Sequence, residues 1–193
     1  MKKVIFQMSA SVDGYVEGPN REIDWHVVDD EFNAFAVETL SSTDVLIMGR
    51  KTYELMAGYW PSAAGNDPAV KEKMNSTPKL VFSRTLKRVD WQNSRLAEGT
   101  VADEVSRLKE VSGDGVLWVG GSDLAASFLE QNLIDELHII LTPLLLGAGK
   151  TMFEGIMKRY PLRLLSTRTF KSGAVVLVYE ASLPRPSVSC GAG

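Results

Sequence analysis

Four consecutive residues, Gly49-Arg50-Lys51-Thr52, bring together a permissive backbone position, two cations and a hydroxyl. They follow the apolar run Val45-Leu46-Ile47-Met48. An unbroken apolar run reads as a strand covered on both faces, as in a parallel sheet. The glycine breaks that strand, and residues 52–56 read as the start of a helix. A strand ending in this way gathers backbone N–H groups, a helix N-terminus and two positive side chains at one point, which is the chemistry of anion binding. The same four residues also suit an ordinary strand-to-helix turn with Arg50 and Lys51 in solvent. Taken alone, the tetrapeptide does not decide between the two.

Two further stretches have related chemistry. Residues 116–119 form a second buried-strand run that meets Gly120-Gly121-Ser122, and Ser122 is a good N-cap for a helix over residues 123–131. The glycine pair suits close approach of a ligand or tight strand–helix packing equally well. Residues 79–83 read as another strand, followed by Arg84. Between residues 79 and 95 the bases Lys79, Arg84, Lys87, Arg88 and Arg95 outnumber the single acid Asp90. Such an excess is usually a solvated face; here it follows a strand, as Gly49-Arg50 does.

The elements that must position these groups alternate along the chain. Residues 3–9 read as a first strand, closed by the turn Ser11-Val12-Asp13-Gly14. A polar loop over residues 17–24 leads to Trp25, His26 and the acidic cluster Asp29-Asp30-Glu31, which suits the positive end of a helix. Phe32, Phe35, Ala36, Thr39 and Leu40 then fall at helical spacing. Residues 57–65 read as a loop with exposed Tyr59 and Trp60, and Asp67-Pro68 as a helix start. Val101, Val105, Leu108 and Val111 mark a helix closed by Gly113-Asp114-Gly115. A strand over residues 135–142 precedes a glycine-rich segment ending Gly147-Ala148-Gly149-Lys150. Residues 162–170 and 174–181 form a final hairpin, whose weak period-2 pattern suits strands covered on both sides. The order is that of an α/β domain with a mostly parallel sheet and an antiparallel edge. Ligands in such sheets sit beyond the carboxyl ends of the strands, so the junctions at Gly49, Ser83 and Gly120 are expected on one edge. Three convergent sites, two with cations, suit a ligand bearing several phosphates.

Size and composition set the outer bounds. The 193 residues are 45% hydrophobic, with a net charge of -3 and a pI near 5.5, which argues against a general nucleic-acid binder. No apolar run approaches the roughly 20 residues needed to cross a bilayer. The one cysteine, Cys190, and the separated His26 and His138 give no disulfide and no metal-ligand spacing. A soluble cytoplasmic protein without a structural metal is expected. Residues 1–182 read as one domain, and the Pro-, Ser- and Gly-rich residues 183–193 as a flexible tail.

Four pieces in order now carry a family resemblance: Ser11-Val12-Asp13-Gly14, Met48-Gly49-Arg50-Lys51-Thr52, Val119-Gly120-Gly121-Ser122, and Ile134-Asp135-Glu136-Leu137 followed by Pro143 and Leu146-Gly147-Ala148-Gly149-Lys150. With this spacing, over about residues 3–181, the chain resembles the dihydrofolate reductase superfamily. Within it, the chain is most similar to the reductase domain of the bifunctional riboflavin-biosynthesis deaminase/reductase and its stand-alone relatives. The resemblance implies an eight-stranded mixed sheet flanked by helices, with NADPH as hydride donor. It also implies a reductase like that acting on 5-amino-6-(5-phosphoribosylamino)uracil, reducing a small pyrimidine- or pterin-like heterocycle. A binding module that holds NADPH without turnover is the alternative.

Carried onto this chain, the resemblance implies that Gly49, Arg50, Lys51 and Thr52 hold the pyrophosphate and adenosine side of the cofactor. Ser83 and Arg84 would hold the 2′-phosphate. Val119, Gly120, Gly121, Ser122 and Asp123 would lie against the pyrophosphate and nicotinamide half. Trp25 and Asp30 have the spacing of the tryptophan and acidic residue of dihydrofolate reductases. That makes Asp30 the candidate acid for protonating a C=N bond, or one of three acids capping a helix. Ser9, Asp13, Trp25, Phe32 and Tyr53 are candidates for lining the substrate pocket, or for ordinary core. Two departures bear on the substrate. No cation stands between residues 54 and 67, where dihydrofolate reductases clamp the folate glutamate. Tyr15 follows Gly14, where the riboflavin reductases have a lysine. Relatives of this kind are commonly dimers joined through the later strands, so a homodimer is expected, with residues 141–146 as an interface or as core.

Overall fold

The computed structural model describes residues 2–63 and 66–181; the expected tail over residues 183–193, with Cys190, lies outside the described residues. In chain order, β1 (Lys3–Ser11) is followed by the short β2 (Tyr15–Glu17) and by α1 (Asp30–Ser41). Then β3 (Thr43–Gly49) runs directly into α2 (Arg50–Tyr59), and α3 (Pro68–Ser76) leads to β4 (Lys79–Phe82) and β5 (Ser94–Leu96). Next come α4 (Val101–Glu110), β6 (Val116–Gly120), α5 (Ser122–Glu130) and β7 (Glu136–Thr142). β8 (Lys150–Thr151) and the hairpin of β9 (Leu162–Thr169) and β10 (Val175–Ala181) follow.

Eight strands form one sheet in the order β5-β4-β3-β6-β1-β7-β10-β9. Neighbours from β5 through to β7 pair in parallel, and β10 pairs antiparallel with both β7 and β9. This is the mixed, mostly parallel sheet with an antiparallel hairpin that the sequence implies. β2 and β8 form a separate two-stranded ribbon.

The apolar runs are unbroken because both faces of the sheet are covered. Successive residues of a strand point to opposite faces. Ile47 therefore joins Val4, Phe6 and Val119 against Ala125, Phe128 and Leu129 of α5. Its neighbours Leu46 and Met48 pack on the other face with Leu40 of α1 and with Val70 and Met74 of α3. At the far side, Phe32 and Phe35 of α1 meet Ile140, Phe170 and Val176.

Helix starts follow local chemistry. The Asp29 carboxylate accepts from the N–H of Phe32 and so caps α1, and Asp67 caps α3 with Pro68 in its first turn. Thr100 and Asp103 form a reciprocal capping box on α4.

Several expectations need correction. The loop expected from residue 57 begins later, because α2 continues to Tyr59. Ser122 is the first residue of α5, and Gly121 is its N-cap. β9 is exposed along its whole length, since it is the sheet edge and no described element covers it. β2, β5 and β8, each two or three residues long, are additions.

The connection from β4 to β5 is pinned from beneath. The Tyr53 hydroxyl oxygen accepts the backbone N–H of Asp90 at 2.9 Å and of Trp91 at 3.1 Å. Lys79 is buried, and its ammonium donates to the carbonyls of Asn75, Thr77 and Gln92 while lying 4.3 Å from the Trp91 ring centre.

Candidate active site

Two strand-to-helix junctions lie side by side at the carboxyl edge of the parallel strands. β3 and β6 are neighbours, with Met48 in register with Gly120. Gly49 is the N-cap of α2 and Gly121 that of α5, and neither helix has a side-chain cap. Their first-turn N–H groups are therefore left for backbone, water or ligand. Gly121 has φ +94, a conformation that side chains rarely adopt, and a Cβ placed there would come within 2.4 Å of Thr52 Oγ1. The two junctions thus touch through a glycine and a threonine. The buried β3 and β6 backbones hold both in place.

Charge at this edge comes from four elements, α2, α5, β8 and β2. Lys51 Nζ, in the first turn of α2, lies 3.3 Å from Asp123 Oδ2. Lys150 Nζ, from β8, lies 2.5 Å from Asp123 Oδ1 and 3.9 Å from Glu17 Oε1 of β2. The hydrogen bond from Lys150 is the largest cause holding the Asp123 carboxyl below its ordinary range, with Lys51 adding to it. Arg50 pairs with Glu54 one turn along α2 at 3.1 Å.

The third strand end stands beside these two, since Gly49 is in register with Phe82 of β4. Ser83 follows, and its hydroxyl oxygen accepts the N–H groups of Thr85 and Leu86, which fixes a tight turn. Arg84 is exposed within that turn. The structure brings Gly49, Lys51, Thr52, Gly120, Gly121, Ser122 and Asp123 together at one edge. Val119 lies fully buried just beneath, among the α5-facing core residues.

The substrate candidates divide. Asp30 is the first residue of α1 and is exposed; its carboxylate has no partner among the described residues, because the capping role belongs to Asp29. Glu31, the third acid of the cluster, accepts the N–H of Lys171. Ser9 lies near the carboxyl end of β1, opposite Ile140 of β7. Phe32 packs with Phe35 and Phe170. Trp25 stacks edge-on against His26 at 4.4 Å and donates its indole N–H to the Glu22 carbonyl.

Two further candidates make framework contacts. Tyr53 belongs to the core beneath the β4–β5 connection. Asp13 accepts the N–H groups of Leu146 and Gly147, tying the turn after β1 to the segment after β7. A Ser11 hydrogen bond, then these two amides, lower its carboxyl.

Four groups here carry no local sequence signal of their role. Lys150 was visible as part of a glycine-rich motif, but its partner Asp123 stands 27 residues earlier and no local pattern joins them. Gln7 Oε1 and Trp118 Nε1 are buried without a hydrogen-bond partner among the described residues. Gln7 shares the Ser9 face of β1, two residues back, and is in register with His138. His26 Nε2 is likewise buried and unpartnered, and burial lowers the affinity of its ring for a proton. Among the described residues no His, Cys, Asp and Glu side chains gather into a group of three or more that could hold a metal ion. No described helix is long and apolar enough to cross a membrane.

Comparison with known proteins gives these observations a setting. The family described as the RibD C-terminal domain matches residues 2–176. YyaP of Bacillus subtilis (strain 168), itself uncharacterised, is 32% identical over 183 residues, spanning 93% of this chain and 95% of that protein. Among solved structures, a Shewanella sp. PV-4 protein named only provisionally for riboflavin biosynthesis superposes with a TM-score of 0.75. The two are 23% identical, and the match covers 94% of this chain and 99% of the other. Dihydrofolate reductase of Enterococcus faecalis, solved in complex with NADP(H), has a TM-score of 0.62 at 13% identity, covering 92% of this chain and 95% of the other.

Proposed function

Since the chain belongs to the RibD C-terminal domain family, we propose that it is an NADPH-dependent reductase of the riboflavin-biosynthesis and dihydrofolate reductase type. Its substrate is a small pyrimidine- or pterin-like heterocycle. The bound dinucleotide supplies the hydride, and the protein supplies binding, orientation and exclusion of water. The observation that carries this reading is the contact of two glycine-capped helix N-termini on neighbouring parallel strands, at Thr52 and Gly121. Backbone N–H groups from α2 and α5 converge there with Lys51, and the missing Cβ of Gly121 leaves the backbone open to close approach.

In this reading Gly49, Lys51 and Thr52 receive the pyrophosphate, and Arg50 lies on its adenosine side. Gly120, Gly121 and Ser122 lie against the nicotinamide half. Arg84, exposed in the turn fixed by Ser83, receives the 2′-phosphate, where a guanidinium favours NADPH over NADH. On the substrate side, Ser9, Trp25 and Phe32 border the heterocycle and Asp30 protonates it as hydride arrives. Two copies of the chain pair through the exposed β9 edge, where Leu162, Leu164 and Leu165 are 39%, 50% and 40% exposed.

A second reading, nucleotide binding without turnover, is favoured by one feature: Asp30 has no partner among the described residues to fix its orientation. Titration of NADPH and NADH against the wild type and Arg84→Ala tests the cofactor assignment. NADPH should bind more tightly than NADH, and the preference should vanish in the variant; absence of binding by either nucleotide removes the reductase reading. Loss of NADPH absorbance with candidate heterocycles separates turnover from binding.

A further inference from the structure

The cation cradle at the two helix N-termini already holds an anion, and that anion belongs to the protein. Asp123 places one carboxylate oxygen 3.3 Å from Lys51 Nζ and the other 2.5 Å from Lys150 Nζ. The three residues come from three elements, α2, α5 and β8, so the arrangement is not the by-product of one helix. Glu17 Oε1 lies 3.9 Å from Lys150 as well. Two lysines thus face two carboxylates, and the local charge sums to zero at the place where the proposed function needs a positive one.

We propose that Asp123 is an internal occupant of this cradle: its carboxylate holds Lys51 and Lys150 in the ligand-free protein and gives both up to the pyrophosphate of an incoming dinucleotide. Lys150 is then a phosphate-binding residue, and Asp123 is a competitor for the site, which revises its expected role as a cofactor contact. The inference rests on the cofactor reading above for the identity of the anion.

The exchange is physically easy. The Asp123 and Lys51 side chains are 60% and 66% exposed, so both can rotate without opening the core. Lys150 is only 22% exposed, and pairing of β8 with β2 keeps its backbone in place when Asp123 leaves. A pyrophosphate offers more charge and more acceptor oxygens than one carboxylate, so it wins both lysines. With Asp123 held in place it would instead meet a like charge beside it.

The test uses inorganic pyrophosphate and NADPH as separate probes, titrated by calorimetry against the wild type, Asp123→Asn, Lys150→Met and the double variant. Removing one partly screened like charge should tighten pyrophosphate binding by about fivefold or more in Asp123→Asn. Lys150→Met should weaken it, and the gain from Asp123→Asn should shrink when Lys150 is already absent. Pyrophosphate binding that is unchanged or weaker in Asp123→Asn overturns the inference and makes the cluster a latch between β8 and α5. The expected pyrophosphate pattern without NADPH binding in any variant would leave the inference standing and sink the cofactor reading alone.

Discussion

Gly121 and Thr52 stand closer than any other residue could allow: the Cβ of an alanine at 121 would lie 2.4 Å from the Thr52 hydroxyl oxygen. The contact joins the N-terminus of α5 to that of α2. Gly121→Ala meets two penalties, the positive φ of +94 and the displacement of Thr52. The conformation alone costs about 1–2 kcal/mol. NADPH affinity should fall by about tenfold or more, because roughly 1.4 kcal/mol at the junction corresponds to one decade. Calorimetric titration checks this, with a melting curve to show that the variant remains folded.

Asp30 tests the substrate side independently. It begins α1, whereas the proposed nucleotide cradle is built from α2, α5 and β8. Asp30→Asn should leave NADPH affinity unchanged. If Asp30 is the acid, kcat should fall by about 10²–10⁴, the usual contribution of a positioned proton donor. An unchanged rate would remove Asp30 from the reaction.

Tyr53→Phe is expected to act on stability first. The change deletes the one oxygen that receives the N–H groups of Asp90 and Trp91. Leaving these amides unpaired should cost about 1–3 kcal/mol, read from the denaturant midpoint at constant slope. The Ser83–Arg84 turn hangs on the same connection. NADPH preference over NADH should therefore weaken modestly in this variant, without the complete loss expected for Arg84→Ala.

Glu104 sets an acid limit. Its side chain is 0% exposed, lies 2.7 Å from Arg95 and accepts the N–H of Glu98 at 2.8 Å. The Arg95 hydrogen bond, above all, holds its carboxyl at about 2 against an ordinary 4.5. A depressed carboxyl contributes stability in full above pH 4.5 and loses it as the pH falls through about 2. Glu104→Gln should be destabilised by about 2–4 kcal/mol at neutral pH, since Arg95 loses its buried partner. Its stability should also fall less steeply than that of the wild type below pH 4.5, as followed by denaturant titration across the acid range.

Much of this architecture was written locally. The run Val45-Leu46-Ile47-Met48 is unbroken because Ile47 faces α5 while Leu46 and Met48 face α1 and α3. Asp67-Pro68 announces α3 with a cap and a preset φ. Elements two or three residues long, such as β5 and β8, are too short for a period to register. β9 reads ambiguously for a physical reason: an edge strand exposed on both faces lacks alternation just as one buried on both does. Long-range partners were the other limit. Nothing beside Tyr53 announces that its hydroxyl serves residues 90 and 91, and nothing beside Lys150 announces Asp123.

β1 occupies the middle of the sheet between β6 and β7, with Lys3 in register with Val116 and Ile5 with Glu136. During synthesis it leaves the ribosome well before either partner exists. Val4, Ile5 and Phe6 stay unpaired until β6 has followed, and Ile5 and Phe6 lack their second partner until β7; contacts of such long sequence separation form slowly. The nascent chain thus carries an apolar segment in waiting, a target for chaperones, and assembly of the sheet is a late, nearly all-at-once event. A chain cut before β7 would keep the Gly49 and Gly120 junctions in its sequence and lack one of the two strands that flank β1.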